Sequence, residues 1–197
     1  LYPSFRFHEA SQRLIRFCSE DLGAFYLDIL KDRLYTMGTD SHGRRSAQTA
    51  LYHIAHAFIL LISPILAFTA DEAWKVLRRD QKDNVLFHER YRFPEGETQK
   101  EQLVKKWVNI RQVRQEVIKA LEPLRKDGVI GSSLEAAVII EAEKEDLKNL
   151  QSLHDELRFV LLVSSAQVKE GEALKIQVQK VETPKCERCW HHSHTVG

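Results

Sequence analysis

The 197-residue sequence predicts a mainly α protein: a helical bundle followed by a small α+β module. Two observations carry this expectation. Apolar residues recur at three- and four-residue intervals through the first 127 positions, which is the signature of helices with one buried stripe. After Gly128-Val129-Ile130-Gly131 the period falls to two, as in strands with one buried face. The expected segments are therefore residues 1–127 as a helical bundle, 128–181 as the α+β module and 182–197 as a cysteine-bearing tail.

Phe7 to Tyr35 reads as helix, with Leu14, Cys18, Leu22, Phe25 and Ile29 on one face. Gly23 costs about 1 kcal/mol against alanine inside a helix, so a kink or a close contact is expected there. Cys18, on the apolar stripe with no activating partner near it in sequence, is expected to be a buried structural thiol. Gly38 to Gly43 is a turn, with Asp40 or Ser41 available as the cap of the next helix.

The central spine is Arg44 to Leu77. Leu51, Ile54, Ala55, Phe58, Leu61 and Ile62 form its apolar stripe, and Arg45, Thr49, Tyr52 and His56 a wetter face. Ser63-Pro64 ends the first spine helix, because Pro64 has no N–H to donate. Thr69-Ala70-Asp71-Glu72 has the form of a capping box and predicts the start of a second, with Trp74, Val76 and Leu77 to bury. The uncharged run Ala57–Phe68 is twelve residues, against the roughly twenty that a membrane span needs, so a core helix is expected and no membrane. His53 and His56 lack a third ligand nearby and are expected at the edge of the core.

Arg78 to Gln99 is polar and broken by Pro94 and Gly96, so a loop is expected, pinned by Val85-Leu86-Phe87. Thr98 to Glu101 is again a capping-box pattern, opening a long helix with Leu103, Trp107, Ile110, Val113, Val117, Leu121 and Leu124 on its stripe. Pro123 is expected to bend or end it. Beyond Gly131, Ala136 to Glu141 is a strand, Glu143 to about Leu161 a helix broken near His154, and 166–169 and 174–179 two further strands with Gly171 at the turn between them.

Composition bounds the function. Hydrophobic residues at 43% and charged residues at 29% exclude a disordered chain, and a formal net charge of +1 means that any nucleic-acid signal must be local. Leu1-Tyr2-Pro3 shows neither an initiator methionine nor a leader, so a piece of a longer polypeptide is expected. Three cysteines, one isolated, make no disulfide framework, and a reducing, cytoplasmic compartment is expected.

The long helix from Thr98 is where charge accumulates. From Lys100 to Lys126 it carries eight cationic against three anionic side chains, a net +5 in a nearly neutral chain. A solvated helix face and a surface for sequence-independent phosphate contacts both fit, the second through Arg111, Arg114 and Lys119, with Arg44 and Arg45 extending the patch. Cys186-Glu187-Arg188-Cys189 has the spacing of half a tetrahedral zinc site. Redox chemistry lacks its strand–helix setting here, whereas two free surface cysteines remain an alternative. His191, His192 and His194 have little freedom to close a cage, and no second pair occurs before Gly197, so an incomplete site is expected. Trp190 is either a packing anchor or a platform for a nucleobase. No phosphate loop and no catalytic triad is found.

FHEASQRLIRFCSEDLGAFYLDILKDRLY, the spine with SPILAFTADEAW, IGSSLEAAV, ELRFVLLVSSAQV and CERCW together resemble the C-terminal region of bacterial-type isoleucyl-tRNA synthetase, over essentially the whole chain. The spine is common to the class I group; FYLDILKDRLY and CERCW select the isoleucyl enzyme. The resemblance implies a class I anticodon-binding helical bundle, a junction module and a zinc-binding tail with Cys186 and Cys189 as ligands, in a cytoplasmic monomer. In the family a second cysteine pair follows. The implied partners are isoleucine tRNA and the catalytic and editing domains of the same polypeptide. The HIGH-type and KMSKS-type signatures do not occur here, so the chain is expected to bind tRNA and to be inactive alone. Lys31 and Arg33 are added as contacts or as members of a structural ion pair. A valyl- or leucyl-type region and a helical protein-interaction module are the alternatives.

Overall fold

A computed structural model describes residues 1–80, 84–85 and 100–196. The chain forms two compact units, Leu1–Gly96 and Glu97–Gly197.

In the first unit a short turn at Tyr2–Ser4 precedes α1 (Phe7–Arg16), a π-helical stretch (Phe17–Leu27) and α2 (Lys31–Tyr35). The irregularity expected at Gly23 is this π stretch. A Cβ at Gly23 would lie 2.9 Å from the carbonyl oxygen of Cys18, five residues back, so the wider turn needs a residue with no side chain. Cys18 is half-buried rather than fully buried.

Ser41 caps α3 (His42–Ile62), its Oγ accepting the Arg44 amide at 3.3 Å, and Ser63-Pro64 ends that helix as expected. The expected capping box at Thr69 is not used. Ile65 and Leu66 both donate to the Ile62 carbonyl and Ala70 donates to Leu66, so α4 (Ala67–Arg78) starts early and Thr69 is already inside it. The buried stripe is also rotated. Ala47 and Ile59 are the buried residues of α3, whereas Leu61 faces outward; Trp74 is 1% exposed, but Val76 is 75% exposed. Ile59, Ala70, Trp74 and Val85 form the core, with the His56 ring 4.8 Å from Trp74. Val85 thus packs into the core, while Leu86, Phe87 and the capping residues Thr98 and Gln99 lie outside the described residues.

In the second unit, α5 (Lys100–Lys126) packs on a helix–sheet layer. Ile110, Val113, Val117 and Leu121 give it a buried stripe. Pro123 does not stop it; the helix runs three residues further. The proline leaves the carbonyl of Lys119 without its helical donor, but Lys119 is solvent-exposed, so water can satisfy it. The stop comes at Gly128 (φ 68°), where Gly128 donates to Arg125 and Val129 to Leu124, a Schellman cap.

β1 (Ala136–Ala142) follows, then α6 (Lys144–Gln151), a break with His154 at positive φ, and α7 (Leu157–Leu161). β2 (Ser165–Glu170) and β3 (Lys175–Lys180) complete a sheet of order β2-β1-β3, with β2 parallel and β3 antiparallel to β1. The strands on either side of Gly171 are therefore not a hairpin. The chain crosses the end of β1, and a Cβ at Gly171 would meet that of Glu141 at 2.9 Å. Val138 and Ile140 are buried and pair with Ala166 and Val168 on one side and Val178 and Ile176 on the other, so the apolar face is continuous across all three strands.

No helix among the described residues is long and apolar enough to cross a membrane.

Candidate nucleic-acid interface and cysteine knuckle

The cations of the first unit divide sharply. The Ser41 cap sets Arg44 and Arg45 in the first turn of α3. Arg44 bends back, half-buried, with Nη1 donating to the Met37 carbonyl at 3.3 Å, which makes it a brace for the preceding turn. Arg45 points into solvent. Lys31 is paired with Asp28 at 2.6 Å, and that hydrogen bond raises the lysine pKa. Arg33 is half-buried beside Tyr26, whose hydroxyl pKa is raised by burial and partly offset by the arginine's charge. Of these four side chains, Arg45 is the fully exposed one that stands outside the Lys31–Asp28 ion pair.

Along α5 the expectation fails at one position. Arg114 is 7% exposed and donates from Nε to the Val160 carbonyl at 3.0 Å, tying α5 to α7. It therefore braces the interior and does not belong to a solvent-facing cationic surface. A helical stripe of period 3.6 running 110, 113, 114, 117, 121 includes it, so its burial was open to reading from spacing. Arg111 is half-buried; Lys119 is exposed and paired with Glu116 at 2.7 Å; Lys105 and Lys126 are exposed. Arg44 and Arg45 belong to the other compact unit from the α5 cations.

Sign also varies within the second unit. Glu143, Glu145, Glu170 and Glu172 line an open depression with Lys144 and Gly171 at the end of the sheet. Four carboxylates there repel a phosphate backbone.

The tail folds back on the second unit as a small knuckle. Cys186 donates its amide to the His191 carbonyl (2.9 Å), Trp190 donates to Cys186 (2.8 Å), and Lys185 bridges to His192. Ser164 anchors it: its hydroxyl donates to the Leu134 carbonyl and accepts the His192 amide at 2.7 Å. His191 is buried edge-to-face against Phe159. His192 donates from Nδ1 to the Thr183 carbonyl at 2.6 Å.

Within the knuckle the amides of Cys189 and Arg188 hydrogen-bond the Cys186 sulfur and hold its thiol pKa below the ordinary value. Amide donors aimed at sulfur favour the thiolate that a zinc ligand must be. The donor set fits two of the four corners of a tetrahedral site. Among the described residues no group of three or more His, Cys, Asp or Glu is placed to hold a metal.

Trp190 stands out from this knuckle, 61% exposed and at φ 65°, a left-handed conformation that is uncommon for a bulky side chain. The Lys185 ammonium lies 5.2 Å from its ring centroid. Lys185 was missed in the sequence reading, although its place next to the cysteine motif is a signal for it. An exposed indole with a cation beside it offers stacking and charge to one unstacked base.

With that geometry established, comparison with known proteins supplies the family. Residues 1–140 match the family described as the anticodon-binding domain of tRNA ligase. The chain belongs to this family. Over all 197 residues it is 53% identical to the isoleucine–tRNA ligase of Neisseria meningitidis serogroup B. It is 49% identical to that of Chromobacterium violaceum and 45% identical to that of Laribacter hongkongensis, again over the whole chain. In each case it spans about one fifth of the relative's length (21%, 21% and 20%). The anticodon-binding domain match extends past α5 into β1, so it covers parts of both compact units.

Proposed function

We propose that this chain binds the anticodon stem-loop of an isoleucine tRNA as one part of an ATP-dependent isoleucine–tRNA ligase. The observation that carries the reading is the identity to isoleucine–tRNA ligases along the whole chain, together with the anticodon-binding family match. Cations that reach solvent neutralise phosphates: exposed Arg45 on the first unit, and half-buried Arg111 with exposed Lys119 and Lys126 along α5. Trp190 with Lys185 receives a splayed loop base. A-form RNA closes its major groove to side chains and leaves loop bases as the readable element, so a dispersed set of cations plus one aromatic suits this target. Arg44 and Arg114 serve the fold and sit outside this contact set. Binding at the anticodon orients the acceptor end toward catalytic and editing domains elsewhere in the polypeptide, and the chain by itself binds without ligating.

Cys186 and Cys189 would hold one half of a zinc site, with a second cysteine pair beyond Gly197 as the other half. Zinc there supplies a structural crosslink that fixes the tail.

Two measurements test this. Reversing Arg111 and Lys119 together (Arg111→Glu with Lys119→Glu) is expected to weaken binding of isoleucine tRNA and flatten its salt dependence by about two phosphate contacts. Unchanged affinity and slope remove the α5 face. Zinc titration is expected to give tight one-to-one binding only when the chain is extended through a second cysteine pair; equally tight binding by the 197-residue chain means that its histidines complete the site.

A further inference from the structure

The knuckle at the end of the second unit brings two sulfur atoms together on a frame built from other bonds. The Cys186 amide donates to the His191 carbonyl, the Trp190 amide to the Cys186 carbonyl, the Ser193 amide to the Pro184 carbonyl at 3.0 Å and the His192 amide to the Ser164 hydroxyl. None of these four bonds uses a sulfur. The bond from Trp190 to Cys186 closes one turn of chain, which sets positions 186 and 189 side by side. There the Cys186 sulfur accepts the Cys189 amide, the Arg188 amide and the Cys189 thiol, so the two sulfurs are already in hydrogen-bond contact. Both cysteines are half-buried, and Glu187 and Arg188 between them are exposed, so small solutes can reach the pair. Cys18 belongs to the other unit, which contains no second cysteine.

We propose that Cys186 and Cys189 form a site of reversible oxidation by peroxides, closing to a disulfide within the knuckle. The anionic sulfur of Cys186 attacks one oxygen of the peroxide: an S–O bond forms, the O–O bond breaks, and the departing oxygen leaves as water or an alcohol after taking up a proton. The sulfur is thereby oxidised to a sulfenic acid. Cys189 then gives up its proton and attacks that sulfur; the S–S bond forms, the S–O bond breaks, and the hydroxide leaves with the proton as water. In sum the pair gives two electrons to the peroxide. The roles follow from the contacts. The Cys189 and Arg188 amides and the Arg188 charge favour an anion at Cys186, whereas Cys189 is the donor and keeps its proton to resolve the intermediate. The pair is a target of oxidation and not a catalyst of exchange, for which it lacks a strand–helix setting. A ring this short gains little from loop closure, and its half-buried sulfurs stay open to reductants, so the bridge is a labile one. Only one consequence rests on the zinc reading of these cysteines: a disulfide withdraws both sulfurs from the half-site, so oxidation and metal loading exclude each other.

The test uses the full ligase polypeptide, stripped of metal with a chelator, treated with hydrogen peroxide, alkylated with iodoacetamide and cut with trypsin without reductant. Trypsin cleaves after Lys185 and Arg188, which puts the two cysteines on separate peptides. These peptides are expected to stay joined, lighter than their sum by the lost pair of hydrogens, and to part with dithiothreitol, while Cys18 is recovered alkylated. Cys189→Ser is expected to abolish the joined pair and leave a sulfenic acid at Cys186 that dimedone captures. Cys186→Ser is expected to abolish it as well and leave Cys189 as a thiol that alkylates. Full alkylation of both cysteines after peroxide overturns the proposal. So does a bridge from either of them to a cysteine beyond Gly197, or dimedone capture at Cys189 in place of Cys186. Zinc uptake by the oxidised polypeptide is expected only after reduction. Uptake before reduction strikes the zinc reading of the pair and leaves the disulfide standing.

Discussion

In the second unit Val113, Val117, Val138, Ile140 and Leu150 are each at most 2% exposed, whereas in the first only Ala47, Ala70, Trp74 and Val85 among the described residues reach that level, two of them alanines. The contrast follows from geometry. A sheet presents a continuous apolar face, and three helices laid on it bury side chains from both layers. The helices of the first unit share only narrow stripes, so one tryptophan supplies most of the large buried surface and several aromatics stay outside. Polar contacts divide in the same way. The second unit ties its helices together with Arg114 to Val160 and Asn109 to Asp146, while the ion pairs of the first unit are local, such as Lys31 to Asp28 and Lys75 to Asp71. One unit is a finished platform for the tail; the other leaves more of its large apolar side chains in water.

Trp74→Ala is expected to have the largest effect, about 3–5 kcal/mol, because it empties the centre of the thinner core. Hydrogen exchange should show α3 and α4 losing protection while β1 keeps its own. Simultaneous loss in both units would break the contrast and make the chain one cooperative body. Gly171→Ala probes the other side at about 1–3 kcal/mol, since the new methyl group meets Glu141 at the strand crossing. Urea unfolding should report it, with β1 and β3 amides affected first; a neutral outcome would mean that the crossing adjusts. Smallest is Ser41→Ala, about 1 kcal/mol, through loss of the α3 cap. Its thermal transition should fall without change in the sheet, and an unaltered transition would show that the Arg44 amide finds water instead.

Features set by local chemistry were legible beforehand. A cap at Asp40 or Ser41, Pro64 as a stop, the break near His154 and the period-two strand from Ala136 each depend on residues within one turn or one strand. Thr69 misled for the same reason in reverse, and of the two outcomes expected at Pro123, a bend or an end, the end does not occur there. Each carries a local signal, but α5 continues where water can reach the orphan carbonyl, and α4 starts early because the Ile62 carbonyl already holds the turn. Of the candidate site, the cysteine pair at Cys186 and Cys189 could be read from spacing, whereas for Trp190 anchor and platform were equally compatible with its neighbours and the fold leaves it exposed. Arg114 could not be separated from Arg111 by charge alone, since the two guanidiniums differ in what faces them across the fold.

The sequence by itself determined which segments coil, which extend and where each stops, because capping, proline and periodicity act over a few residues. Tertiary structure alone decided that β2 and β3 flank β1 and that α5 joins the sheet. Those outcomes depend on contacts between residues tens of positions apart, and no local pattern encodes which partner will arrive.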